Sequence, residues 1–433
     1  EYMRNNPHLD SQTTFFWIDI FAVNQHPGTE QQEDLKQLAQ AIELSSKTLL
    51  CMDETGEVLT RIWCLYEIWK TLESKASASY LTILLSSLNE IQVQEIFLSF
   101  DVTKAQATVA EDRERIMNDI EASVGAQQMT RKIKESLCQS SEEEITALEN
   151  AGASVGVLMK SLEKLAHLKR MEGKYTEYEQ IATKALQLAR ASNDNAYLAS
   201  SLLMMGYAHY FQSNMEAAEK AFEEALKIKK ERTEEDLDFT RALEGLANSK
   251  NRLGKLEESE NLLKTSLEIR KQIAPNSYFV AGSLNNLAML YWHQEKYQLA
   301  QSFFTEAIES VEKCYHPGHF LTLSIEYSLG LTAAKEGKFP EAEKIHLEVL
   351  EARKKFYGQE HPEVADSLVA LSQALLYQDG KQEDAINRII EALEMRKRLL
   401  GPDHPTVKQN EADLAQLQTL LAAYYESLRD NSS

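Results

Sequence analysis

Glycine and proline are scarce in this chain. With 16 glycines and 8 prolines in 433 residues, their combined share is about half of the roughly 12 % usual in globular proteins. That leaves too little turn punctuation for an all-β sandwich, and most of the chain is expected to be helical. Cysteine is scarcer still. Cys51, Cys64, Cys138 and Cys314 stand far apart, which excludes a disulfide framework or a paired CxxC metal site and fits a reducing, cytoplasmic setting. No apolar run approaches the roughly 20 residues that cross a bilayer, and no signal-peptide pattern opens the chain, so no membrane partner is expected. Basic residues are outnumbered 46 to 67, for a net charge of −21, which speaks against a phosphate backbone and hence against nucleic acid as the main partner. Neither a GxxxxGK[ST] phosphate loop nor an HExxH helix occurs. The chain starts at Glu1 in what reads as a helix-to-strand connection, so it is expected to be a fragment.

What is present divides into two grammars. With 43 % hydrophobic and 26 % charged residues, there is ample material for packed cores. Residues 14 to 138 alternate β-rich and helical runs. Thr14–Val23, Thr48–Met52 and Tyr80–Leu85 read as strands, Gln31–Leu44 and Leu59–Leu72 as helices. Strand-helix-strand order implies a parallel sheet with right-handed crossovers. Residues 101–138 alternate charges at helical spacing and read as solvated helix closing this domain. The acidic stretch Ser140–Ile145 marks the boundary, giving an α/β domain over 1–139, a linker over 140–156 and a helical region over 157–428, with a tail at 429–433.

The helical region repeats. Leu162, Leu202, Leu243, Leu284, Ile325 and Leu368 recur at steps of 40, 41, 41, 41 and 43 residues, a helix-pair period. A turn marker recurs at Gly173, Ser213, Gly254, Glu295, Gly337 and Gly380. Five residues on stand Tyr178, Ala218, Ser259, Ala300, Ala342 and Ala385; twelve on stand Ala185, Ala225, Ser266, Ala307, Val349 and Ala392. Small residues at fixed offsets let paired helices approach closely. The order Leu-Gly/Ala, Gly-Lys-Tyr, Ala-Glu, Ala-Leu resembles the tetratricopeptide repeat (TPR) signature. The period near 42, with Tyr357-Gly-Gln-Glu-His-Pro362 and Leu400-Gly-Pro-Asp-His-Pro405, resembles the kinesin-light-chain type, here as six repeats and a capping helix over Thr406–Leu428. No heptad coiled coil of the kind that joins light chains to a motor is visible.

Such repeats form a right-handed α-α superhelix whose first helices line a peptide-binding groove. Carrying the family's groove positions across, the inward residues are expected to be Glu163, His167 and Arg170; then Leu203, Tyr207 and Tyr210; then Arg241, Glu244, Asn248, Asn251 and Arg252; then Asn285, Met289, Trp292 and His293; and finally Tyr327 and Lys335. Aromatics would supply apolar anchors, and Asn and Arg would pair with a peptide backbone or an acidic side chain. The regular asparagine ladder of the light chains is absent: Gly245 and Met204 occupy the register of Asn286.

Arg61-Ile-Trp-Cys-Leu-Tyr-Glu-Ile-Trp69 is the densest unusual segment. It resembles the Trp-Cys-Leu-x-Glu helix of Toll/interleukin-receptor (TIR) domains and, together with Trp17-Ile-Asp-Ile-Phe-Ala-Val-Asn-Gln25, the fungal heterokaryon-incompatibility (HET) domain. The resemblance implies an incomplete flavodoxin-like fold lacking its first strand and helix. In NAD-cleaving members the glutamate is catalytic, a role that would fall to Glu67, with Asp19, Asn24 and Trp63 about the nucleotide. A carboxylate suits that chemistry because it stabilises positive charge growing on the ribose. A Trp-rich helix beside a sheet is also what a core helix looks like. Gly152-Ala-Ser-Val-Gly156 lacks the strand a nucleophile elbow needs, and Cys314-Tyr-His-Pro-Gly-His319 lacks a fourth metal ligand. The expectation is therefore a mainly α scaffold protein without cofactor or metal. Its groove binds a protein or peptide and its N-terminal domain serves signalling or self-association; the rival is a TIR-like enzyme with NAD as substrate and a TPR sensor.

Overall fold

The computed structural model describes residues 48–51, 57–75, 81–84, 100–107, 110–233, 235–275, 277–314 and 320–430, with a few isolated positions before residue 100. The expected strand Thr14–Val23 and nearly all of the helix Gln31–Leu44 lie outside the described residues. The chain forms two compact units, Glu1–Met171 and Glu172–Ser433.

In the first unit, strands β1 (Thr48–Cys51) and β2 (Leu81–Leu84) pair in parallel, Thr48 opposite Leu81, with helix α1 (Ile62–Lys75) between them in sequence. This is the expected crossover. Ile62, Leu65 and Ile68 are fully buried and Trp69 is 5 % exposed, so α1 is a core helix on most of its circumference. Helices α2 (Ala110–Ser123), α3 (Ala126–Asn150) and α4 (Val155–Met171) follow. The acidic segment read as a linker over 140–156 is helical through Asn150 and again from Val155. Its glutamates are good helix formers, and Ser140 and Ser141 are buried. The Ser140 hydroxyl accepts the Ile83 amide at 2.8 Å, so a helix side chain, not a further strand, satisfies that edge of β2. Two parallel strands are the whole sheet among the described residues, and the TIR/HET-like, flavodoxin-like fold is not shown.

The second unit is a helical solenoid: α5 (Tyr175–Ser192), α6 (Asn195–Phe211), α7 (Met215–Glu231), α8 (Leu237–Arg252), α9 (Leu256–Ile273), α10 (Tyr278–His293), α11 (Tyr297–Cys314), α12 (Phe320–Lys335), α13 (Phe339–Tyr357), α14 (Pro362–Leu376), α15 (Gln382–Leu400) and the closing α16 (Pro405–Asp430). Every turn marker sits in the left-handed region, from Ser213 and Glu295 at φ 60° to Gly254 and Gly337 at φ 78°. One αL residue reverses the chain between the helices of a pair. The small residues do what their spacing implies: Ala218, Ser259, Ala300, Ala342 and Ala385 are fully buried, as are Ala185, Ala225, Ser266, Ala307 and Ala392. Serine is tolerated there because Ser259 donates to the Ala247 carbonyl at 2.8 Å and Ser266 to that of Thr240 at 3.3 Å. Between them, large residues fill the layer. Phe222 is fully buried, and its ring lies so close to Gly206 and Gly245 that a Cβ at either would come within 2.5 Å of Phe222 Cε1.

Consecutive first helices, α6, α8, α10, α12 and α14, touch one another, whereas the second helices are held apart by them. The first helices therefore form the inner layer of the curve.

Candidate functional site

Arg252, His293 and Lys335 are the last residues of α8, α10 and α12. A basic residue type thus closes each of three consecutive inner helices, and the Arg252 and Lys335 charges complement the negative end of the helix dipole. Arg252 and Lys335 are exposed. One residue before the ends of α6, α8 and α10 stand Tyr210, Asn251 and Trp292, so aromatic and amide groups alternate along the same register.

These side chains sense one another. Lys335 Nζ stands 5.4 Å from the centre of the Trp292 ring, and Trp292 meets the His293 ring edge-on at 5.2 Å. Partial burial, with the Arg252 charge second, holds the His293 imidazolium below its ordinary pKa. Burial raises the Tyr210 phenol, an effect Arg252 opposes. Two atoms of the row lack partners: Asn251 Oδ1 and Trp292 Nε1 are shielded from the surface and make no hydrogen bond. An oxygen that can only accept and an indole N–H that can only donate stand at equivalent places on touching helices.

Other expected groove residues are engaged in packing. Tyr207 donates to the Arg241 carbonyl at 3.1 Å and packs edge-on against Phe222 at 5.1 Å. Arg241 pairs with Asp238 one turn away at 2.9 Å. Met289 lies against the cluster around Leu287 and Phe304. Leu203 belongs to the Phe222 cluster and does not face the groove. Asn248 is half-buried. Glu163, His167 and Arg170 lie on α4 in the first unit.

Glu244 faces the layer between helices instead of the groove. It pairs with Arg270 Nη1 at 2.6 Å, both side chains at most 9 % exposed, and accepts from the Ser283 hydroxyl. Arg270 further donates to Thr240 Oγ1 and the Phe279 carbonyl, each at 2.9 Å. The arrangement recurs: Arg353 bonds the Glu363 carbonyl and Ser367 on the next inner helix and lies 4.5 Å over the Tyr327 ring, while Arg396 reaches Asp366 and Asn410. Tyr327 is thus part of this layer, and burial raises its phenol. The motifs Leu267-Glu-Ile-Arg270, Leu350-Glu-Ala-Arg353 and Leu393-Glu-Met-Arg396 carried this signal at the repeat period, and sequence reasoning passed over it. The fourth repeat has Val311 in that place, and there Asn285 replaces Glu244 in register, leaving Asn285 Oδ1 buried without a partner.

In the first unit, Glu67 is half-buried on α1. Its carbonyl accepts from Thr71 Oγ1 at 2.8 Å, and Thr71 meets Thr48 at the start of β1 at 2.7 Å. Four helical residues advance about 6 Å, so Glu67 stands about that far along α1 from the Thr71 contact with β1. Asp19 and Asn24 lie outside the described residues, as does the side chain of Trp63, so of the expected nucleotide pocket only Glu67 is among the described side chains. The loop 315–319 of the weak metal motif also lies outside them, and no metal-ligating cluster of His, Cys, Asp or Glu occurs among the described residues. None of the described helices is long and apolar enough to cross a membrane.

The profile of the tetratricopeptide repeat matches residues 158–231, 238–313 and 321–398, more than half of the chain. The chain belongs to the tetratricopeptide-repeat family. No curated protein matches it. Among solved structures, BtubC (BKLC) from P. vanneervenii is 20 % identical over 53 % of this chain and 92 % of that one, with a TM-score of 0.39. A Podosopora anserina protein described as a kinesin light chain with nearly identical TPR-like repeats is 18 % identical over 46 % of this chain and 96 % of its own, TM-score 0.35. The apo quorum sensor NprR from B. thuringiensis is 14 % identical over 76 % and 97 %, TM-score 0.45. These likenesses concern helical-repeat architecture and carry no function across.

Proposed function

We propose that the TPR solenoid is a scaffold that captures an extended protein segment along its inner helices, at the row formed by Tyr210, Asn251, Arg252, Trp292, His293 and Lys335. The observation that carries this reading is the row itself: exposed Arg252 and Lys335 close inner helices on either side of the Trp292 and His293 rings, with Lys335 Nζ 5.4 Å from the Trp292 ring. Cations beside aromatic faces suit a segment that brings both carboxylates and apolar side chains. Arg252 and Lys335 at the edge of the row favour a segment bearing carboxylates, even though the chain as a whole is acidic. The first unit, in this reading, serves signalling or self-association, as its resemblance implies.

The test is to pan a random peptide library on the full chain, on Trp292→Ala and on Arg252→Ala. The reading expects one family of acidic sequences enriched on the native chain, with affinity falling at least tenfold on either variant; Arg252→Ala, at an exposed residue, keeps the thermal unfolding midpoint, whereas Trp292→Ala also lowers it because the ring packs on the Leu287 and Phe304 cluster. Enrichment that is absent, or indifferent to both substitutions, would sink it.

A further inference from the structure

The two edges of the solenoid meet within the second unit. His404, in the loop before α16, contacts the Phe211 carbonyl at the end of α6 at 3.3 Å, across 193 residues of chain. A second contact lies one repeat back and in the same register: His361-Pro362, in the loop before α14, packs on Gly173, the turn residue before α5. A Cβ on Gly173 would lie 2.8 Å from Pro362 Cγ and 3.4 Å from His361 Nε2. Tyr175 stacks on Phe211 at 4.6 Å beside these contacts. A small cleft of about 280 Å³ between Tyr175, Gln212, Asp403 and His404 separates them.

Both histidines are set by one device. His361 Nδ1 accepts the amide of Glu363 at 3.1 Å, and His404 Nδ1 accepts that of Thr406 at 3.2 Å, each capping the start of the helix that follows. An Nδ1 that accepts carries no proton, so the hydrogen of the neutral ring sits on Nε2. Nε2 is thereby turned outward, toward the facing edge, where that of His404 donates to the Phe211 carbonyl. His361 is held further by stacking on Tyr357 at 4.2 Å.

Gly173 stands apart from the other turn markers. Gly254, Gly337 and Gly380 share its left-handed conformation but have nothing within 4 Å of a would-be Cβ. Only at Gly173 is the missing side chain occupied by a distant part of the chain.

We propose that His361-Pro362 on Gly173 and His404 on Phe211 form an intramolecular latch that holds one turn of the superhelix closed. Curvature alone would leave successive edges to drift, because each repeat contacts only its neighbours; two contacts in register join repeats far apart in sequence and set the pitch. Release of the latch lets the solenoid open and gives side access to the inner helices. This inference stands on the edge contacts alone and does not depend on what the groove binds.

Gly173→Asn tests it, because asparagine tolerates φ near +71° while its Cβ collides with Pro362. Gly254→Asn makes the same exchange at a turn with open space and serves as the control. Spin labels carried on unnatural amino acids at the exposed Gln187 and Lys355 report the separation of the two edges in the full chain by electron-electron double resonance. The latch predicts one narrow distance in the native protein and in Gly254→Asn, and a longer, broader distribution in Gly173→Asn and in Gly173→Asn/His404→Ala, with helical circular dichroism unchanged in all four. A distribution unmoved by Gly173→Asn/His404→Ala overturns the proposal. So does a broad distribution in the native chain, or an equal shift in Gly254→Asn.

Discussion

His346 stands on α13 at the position held by Phe222, Leu263, Phe304 and Ile389 in four of the other repeats, all 0 to 2 % exposed, and it is itself fully buried. Its ring presses on Gly330, where a Cβ would come 2.6 Å from Cε1, and lies 5.5 Å from the Tyr327 ring. Neither ring nitrogen makes a hydrogen bond of good geometry, the Gly330 backbone offering only a weak contact. Burial, aided by the Arg353 charge, lowers its pKa from 6.5 to about 4. The unfolded chain therefore binds a proton near pH 6.5 that the folded chain refuses until about pH 4, and stability falls as pH drops through that window. At about 1.4 kcal/mol per pKa unit the loss is about 2 kcal/mol at pH 5 and about 3 kcal/mol by pH 4. His346→Leu removes the titration and the unpaired nitrogens. The difference in unfolding free energy between the two proteins, from urea titrations followed by circular dichroism, should widen in favour of leucine by about 2 kcal/mol between pH 7.5 and pH 5. Other titrating groups cancel in that difference. A pH-independent difference would refute the buried-neutral assignment, whatever its size.

Arg270→Met should cost about 3 to 5 kcal/mol by leaving the Glu244 carboxylate buried alone, whereas Arg270→Met/Glu244→Leu should recover most of it; a double-mutant cycle by denaturant unfolding decides, and additive losses would count against the pair. Ser213 and Glu295 hold φ 60° without being glycine, so Ser213→Gly and Glu295→Gly should each raise stability by roughly 0.5 to 1 kcal/mol, read as a higher urea midpoint. Gly245→Ala should lose about 1 to 3 kcal/mol through collision with the Phe222 ring, and Gly245→Ala/Phe222→Leu should regain part of it; an unchanged melting temperature in the single variant would show that the ring can move aside.

The register of the solenoid was legible in the sequence because local rules impose it. A turn that reverses between two helices needs one left-handed residue, and close helix contact needs a small one, so Gly254 and Ala300 announce their places without knowledge of any neighbour. The strand pairing of Thr48–Cys51 with Leu81–Leu84 was read the same way, from β-rich runs flanking a helix. By contrast, Glu244 and Leu203 were assigned to the groove by register, and that register mixes groove with interior. Which of the two a side chain joins depends on the residue facing it across the repeat, Arg270 for Glu244 and Phe222 for Leu203. Periodicity reports the helix a residue sits on and the face it presents, and nothing about what meets that face.

The sequence alone thus determined the helix pairs, their turns and their close-packed seam, since each follows from spacing within some 40 residues. The tertiary structure decided the rest. It placed an acceptor at Asn251 beside a donor at Trp292, buried a histidine where its neighbours have apolar side chains, and brought His404 to Phe211 across 193 residues. Those outcomes depend on the accumulated curvature of many repeats, a quantity that no single period contains.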